Sequence, residues 1–165
     1  MILLNIFDIK NLMSYLLLKD TFDNCLLEEL KVTTFAKMSL EGRRNKGWYD
    51  TEENPGDLPD LLYWREARPF VLQYIRGKRT PTSFAISLKV PKEVAVELSG
   101  ENELAALLSE EEVELLLHFR FEQDRLSVVT GCSHFVFTMD RRAEFSWDEA
   151  IKSCLKKLKI AFENV

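Results

Sequence analysis

The chain has 165 residues, with 22 Lys and Arg against 27 Asp and Glu, for a formal net charge of −5. Hydrophobic residues make up 46%, charged ones 30%, and there are 6 Gly and 5 Pro, which excludes a low-complexity, collagenous or disordered chain. The acidic balance weighs against a general nucleic-acid or membrane binder. The length suits one domain over residues 1–165, large enough to bury a core without a metal or a disulfide. Cys25, Cys132 and Cys154 form neither a CxxC spacing nor an even disulfide set. No apolar run reaches the ~18 residues of a membrane helix. The expectation is a reduced, cytoplasmic protein with no membrane contact and no cofactor.

Leu3 to Ile6 is a short apolar run that predicts a strand. Asp8 is placed to cap a helix on which Ile9, Leu12, Met13 and Leu16 share one face. From Lys31 to Leu40 the pattern has period two, and Glu41-Gly42 suggests a tight hairpin turn into a return strand ending near Tyr49. That turn would set Phe35 opposite Trp48 and Lys37 opposite Lys46, with Ser39 opposite Arg44. Asp50 to Asp60 reads as a solvated acidic loop; Asp50, Glu52, Glu53, Asp57 and Asp60 do not follow the order of a calcium loop. Leu61, Trp64, Arg68, Val71 and Ile75 recur at helical spacing. Pro69 predicts a kink or a junction of two helices, and Gly77 a C-terminal cap.

Phe84, Ile86, Leu88 and Val90 alternate with small or polar residues in the clearest half-buried strand. Pro91-Lys92 opens a short helix that Gly100 can close, and a second acidic helix runs to Leu108. Leu115, Leu117, Phe119 and Phe121 then alternate. A turn at Gln123-Asp124 sets Phe119 opposite Val128 and Phe121 opposite Leu126. A second turn at Thr130–Ser133 would set Val128 opposite Phe135 and Leu126 opposite Phe137, giving a C-terminal three-stranded meander. Ser146 and Glu149 have the spacing of a capping box. Trp147, Ile151, Cys154, Leu155, Leu158 and Phe162 follow as an apolar stripe. The fold class expected is α+β: a mainly antiparallel sheet packed by N-terminal, central and C-terminal helices. The element order hints at two related βαβ units.

The stretches DTFDNCLLEE, LEGRRNKGWYD, ARPFVLQYIRGKRTPTSFAISL, RLSVVTGCSHFVFTMD and the WDEA helix start resemble an uncharacterised family of Clostridia-type bacterial proteins. That resemblance implies no activity, cofactor or site. LKVPKEVAVELSG followed by VELLLHFRFEQDRLSVVTGCSHFVFTM is similar to half of a DNA sliding-clamp domain, and implies its strand, helix and meander arrangement. Clamps line DNA with basic helices, whereas Glu93, Glu97, Glu101 and Glu103 occupy these; the resemblance implies the fold and not the encirclement.

No catalytic motif stands out. His118 and His134, both placed opposite Val129 by the turn arithmetic, would lie roughly 9–10 Å apart, too far to share a metal. Cys132 would need a base such as His134 to act as a nucleophile. Arg76-Gly77-Lys78-Arg79-Thr80 lacks the spacing of a phosphate loop. The candidate binding residues are Phe35, Lys37, Arg44, Lys46 and Trp48 on the hairpin, with Arg65 and Arg68 on the following helix. Arg68 falls on an apolar stripe, where a charge needs a partner. Rings beside cations are the chemistry of single-stranded nucleic-acid binding. The favoured reading is a non-enzymatic binding or interaction module whose partner the sequence does not name, a protein being one candidate. The second is a nucleic-acid or nucleotide-phosphate binder using residues 31–49 and Arg68. The third is an enzyme whose site combines distant residues such as Asp50, Arg68 and His118.

Overall fold

A computed structural model describes residues 1–50, 55–100 and 102–165; Glu52, Glu53 and Glu101 lie outside them. The elements run β1 (Leu3–Ile6), α1 (Ile9–Leu17), β2 (Leu26–Thr33), β3 (Lys37–Glu41), α2 (Trp64–Ile75), β4 (Ser83–Val90), α3 (Lys92–Ser99), α4 (Asn102–Glu110), β5 (Val113–Glu122), β6 (Arg125–His134), α5 (Arg142–Lys157) and β7 (Phe162–Asn164). Short 3₁₀ turns occupy Lys46–Trp48 and Pro55–Asp57. The strands form one antiparallel sheet in the order β3-β2-β4-β5-β6-β1-β7.

Alternation explains how the sheet is covered. Val32, Phe84, Phe121, Leu126 and Ile6 lie in register on one face, as do Leu30, Ile86, Phe119, Val128 and Leu4. All are buried, in one core with Leu12 and Leu16 of α1, Trp64 and Val71 of α2, Ala95 of α3, Leu104 of α4 and Trp147 and Leu155 of α5. The opposite face carries Lys31, Ser83, Ala85, Ser87, His118, Arg120, Ser127 and Val129, none of them fully buried. The fold is therefore a sheet with helices on one face and an open face on the other. No helix of the described residues is long and apolar enough to cross a membrane.

Several elements match their sequence signals. The Asp8 carboxylate accepts from Asn11 N at the start of α1. Pro91 precedes α3, and Gly100 closes it with φ 67°, in the left-handed region that suits glycine. Phe119 pairs with Val128 and Phe121 with Leu126, and β4 matches its alternating run.

Several expectations require correction. The first hairpin turns at residues 34–36, not at Glu41-Gly42: β2 starts at Leu26 and β3 returns from Lys37, pairing Thr33 with Lys37 and Glu29 with Glu41. A bulge between Leu27 and Glu29 breaks the alternation and hides the start of β2. Residues 43–49 leave the sheet because Arg43 bridges to Leu61 and Arg44 is drawn onto α2. Trp48 therefore does not face Phe35, nor Lys46 Lys37.

The third strand of the meander is absent. β6 runs straight through Gly131 to His134, because β1 occupies its free edge, with Leu3 opposite Val129 and Ile6 opposite Leu126. Residues 135–139 leave the sheet. α5 begins at Arg142, so Ser146 lies inside the helix and caps nothing, while Phe162 belongs to β7 and pairs with Ile6. α2 continues through Pro69 as one helix, so two helices do not meet there, and it is anchored by buried Trp64, Ala67 and Val71. It ends at an extended Arg76, so Gly77 is not its left-handed cap.

Candidate functional site

The candidate cations separate into those the fold consumes and those it leaves outside. Arg44 is only 6% exposed. Its Nη1 and Nη2 donate to the Glu66 carboxylate at 2.9 and 2.7 Å, Nη1 also to the Tyr49 hydroxyl at 2.7 Å, and Nε to the Pro59 carbonyl at 3.0 Å. Glu66 in turn accepts from Tyr63 N at 2.8 Å, closing the first turn of α2. The guanidinium holds the Glu66 carboxyl below its ordinary range, and the carboxylate raises Arg44. Arg44 therefore ties Tyr49, Pro59 and Leu61 to Glu66 in the first turn of α2.

Arg68 makes a bidentate pair with Asp23, Nε to Oδ1 at 2.6 Å and Nη2 to Oδ2 at 3.0 Å. The carboxylate that its apolar stripe called for is thus Asp23, at the end of the α1–β2 connection. Arg65 donates to Asn24 at 2.7 Å and lies 3.9 Å over the Tyr63 ring. Lys46 pairs with Asp60 at 2.9 Å. Lys37 opens β3 opposite Thr33 and is exposed. Phe35, 94% exposed at the tip of the hairpin, leans on Tyr74 with ring centroids 6.1 Å apart. Trp48 is 79% exposed and meets Tyr49 edge to face at 5.8 Å. The structure gathers Arg65 and Arg68 at Asp23-Asn24 but does not assemble the ring-and-cation face expected of residues 31–49.

The histidines also part company. His118 lies on the open face opposite Val129, its Nδ1 2.9 Å from the Ser87 hydroxyl, whereas His134 pairs with Val113 on the core-facing side. His134 shares that side with Cys132, whose sulfur is 3.9 Å from Nε2, while Nδ1 is 3.9 Å from Glu111 Oε2. This is the order of nucleophile, base and orienting acid. Burial, then Glu144 and Glu111, push the Cys132 thiol up to about 11, the opposite of what a reactive thiolate needs. Because the sulfur and the carboxylate sit on different ring nitrogens, the group cannot close on one ion. Among the described residues no set of three His, Cys, Asp or Glu is placed to hold a metal.

Residues 135–139 form the feature that the strand reading concealed. Phe135, Val136, Phe137 and Met139 are all strongly exposed, and Phe145 on α5 adds a further exposed ring. Their alternation with β6 resembled a returning strand; only the occupied edge of β6 shows that they have no partner there. The segment is held at both ends: Phe135 N donates to the Glu112 carbonyl at 3.5 Å, Asp140 N to the Thr138 hydroxyl at 3.0 Å, and Arg142 grips Asp140 at 2.7 Å.

No curated protein and no solved structure matches the chain. The sequence model described as Family of unknown function (DUF5721) matches residues 15–163, from the end of α1 into β7, and the chain belongs to that family.

Proposed function

We propose that the chain, as a single domain over residues 1–165, is a non-enzymatic interaction module that docks a protein through residues 135–145. The observation that carries this reading is the exposed run of Phe135, Val136, Phe137 and Met139, with Phe137 at 93% and Met139 at 88%. Leaving a large apolar side chain in water forgoes about 1.5–3 kcal/mol of burial, and clustered exposure rimmed by polar groups is the mark of an interaction site. Glu110, Glu111, Glu112 and Asp140 adjoin the run, and Arg142 is already engaged by Asp140. The fitting partner offers an apolar groove with a basic rim; a second copy of this acidic chain would bring like charge to like. Free cysteines, two of them buried, suit a reducing, cytoplasmic setting.

The test is comparative co-purification of tagged wild type and the double variant Phe137→Ser, Met139→Ser, followed by titration with the purified partner. The expected result is a partner whose Kd rises at least tenfold in the variant while the thermal melt is unchanged. Identical captures from both proteins, or self-association through this run in light scattering, would overturn the reading.

A second reading, binding of single-stranded nucleic acid, is supported by the exposure of Phe35 and Trp48. It would use Lys37, and Lys46 on exchanging Asp60 for a phosphate, since Arg44, Arg65 and Arg68 are spent on Glu66, Asn24 and Asp23. The clamp-like reading of β4, α3, β5 and β6 draws support from the helix start at Pro91, while the acidic residues of α3 and α4 speak against lining a nucleic acid.

A further inference from the structure

A cleft of about 410 Å³ lies between α1 and residues 76–81, the segment that joins α2 to β4. Ile9, Met13 and Leu17 present one stripe of α1 to it, Leu72 enters from α2, and Phe84 and Phe121 close it, their rings stacked with centroids 5.3 Å apart. Lys10, Lys78 and Arg79 stand among its lining residues. A second groove shares Lys78 and Arg79 with it and adds Arg76 and Thr34. Thr34 Oγ1 is buried without a hydrogen-bond partner. Among the described residues neither cavity is lined by an Asp or Glu, in a chain whose acids outnumber its Lys and Arg. Among the described residues no carboxylate pairs with Lys10, Arg76, Lys78 or Arg79, unlike Arg44, Lys46, Arg68 and Arg142.

We infer that this cleft binds a small amphipathic anion, an alkyl or acyl chain with a carboxylate or phosphate head. The volume is at the lower end of the ~300–1,000 Å³ of small-molecule sites, and apolar walls with a few convergent polar groups are their usual construction. The walls choose the body of the ligand: a nucleobase would leave its ring donors and acceptors unpaired against Met13, Leu72 and Phe84, whereas a hydrocarbon chain loses nothing there. The cations choose the head, since an anion meets three unpaired positive charges at the cleft and no competing carboxylate. Cations beyond a helix C-terminus also favour its dipole, but that role requires neither an apolar cavity nor the exclusion of acids. This site is separate from residues 135–145 and stands whether or not a protein docks there.

The experiment titrates octanoate, octyl phosphate, 1-octanol and inorganic phosphate into the intact chain while following the Met13 methyl resonance. Lys78→Glu, Arg79→Glu reverses the charge at exposed positions. Lys156→Glu, Lys159→Glu makes the same charge change on and just beyond α5. Saturable binding of octanoate or octyl phosphate is expected, with a shift at Met13. Octanol should bind at least tenfold more weakly, the reversal at Lys78 and Arg79 should weaken the anion at least tenfold, and the control should stay within twofold. The tighter of the two anions identifies the head as carboxylate or phosphate. The inference is overturned by a Met13 resonance that no anion moves, by octanol binding as well as octanoate, by affinity that survives the reversal, or by inorganic phosphate binding as tightly alone. Capture by phosphatidylglycerol vesicles without binding of free octanoate would likewise overturn it, by making the surface a membrane contact.

Discussion

A guanidinium with almost no access to water must find partners for its donors, and Arg44 finds them in Glu66, Tyr49 and the carbonyls of Pro59 and Leu61. Lysine cannot reproduce that fork. Arg44→Lys should lower stability by about 2 kcal/mol, read from urea unfolding; a midpoint equal to wild type would show that the network does no structural work. The same contact sets a pH dependence. The folded Glu66 carboxyl lies below its ordinary value of 4.5, so its contribution is whole above that pH and is lost as the pH falls through the folded value. Glu66→Gln should therefore flatten the fall in stability below about pH 4.5, measured as melting temperature against pH, and an unchanged acid slope would refute the assignment. Little of this was legible in the sequence. Arg44 stands among Arg43 and Lys46 and reads as one more surface cation, because Glu66 is 22 positions away and only the fold makes them neighbours. Trp48 is 79% exposed, and Trp48→Ala should abolish any binding of single-stranded oligonucleotide at low salt in a fluorescence titration. Binding that survives Trp48→Ala but is lost in Lys156→Ala would place that site on α5 instead.

Elements were legible where a single local pattern decides them. In β4, β5 and the turn at Gln123-Asp124, alternation and turn chemistry point the same way, and both turn residues adopt positive φ, 51° and 58°. The failures share one cause, a long-range partner that overrides local pattern. β1 claims the edge of β6 that the returning strand would have used, and Arg44 pulls residues 43–49 off the sheet. Gly42 illustrates the same point. It reads as the second residue of a hairpin turn, yet its backbone bonds both ways, its N to the Glu28 carbonyl at 2.9 Å and its carbonyl accepting from Leu62 N at 2.8 Å. A Cβ there would lie 1.7 Å from the Leu27 carbonyl oxygen. Gly42→Ala must push residue 42 away from Leu27 of β2 and should cost about 3 kcal/mol or more; a melt within 1 °C or so of wild type would mean the approach relaxes freely. On α5, Leu155 is buried in the shared core. Leu155→Asp should destabilise by roughly 4 kcal/mol or more, as an uncompensated buried charge does, and a wild-type melt would show that α5 is not docked through this stripe.

At the scale of the whole molecule, one buried cluster draws on all five helices and one face of the sheet, so no half of the chain owns a core. The two βαβ units suggested by the element order are not separate bodies in this sense: β2 and β4, which come from different units, pair along seven positions, and β1 crosses to the far side of β6. A shared core predicts one cooperative unfolding event, and the strand order predicts its gradient of protection. β4, β5 and β6 are flanked on both sides along the sheet, whereas β3 is an edge strand whose outer amides face no strand among the described residues. Native-state hydrogen exchange should therefore find the slowest amides in β4, β5 and β6, exchanging only through global opening, with the free-facing amides of β3 and the amides of residues 135–139 at least a hundredfold faster. The slow amides on the two sides of the sheet, in β2 and β6, should share one opening free energy and one denaturant dependence. If instead β2 with α2 opened at a distinctly lower free energy than β6 with α5, the chain would consist of two folding units, and the common core would be contact without cooperativity.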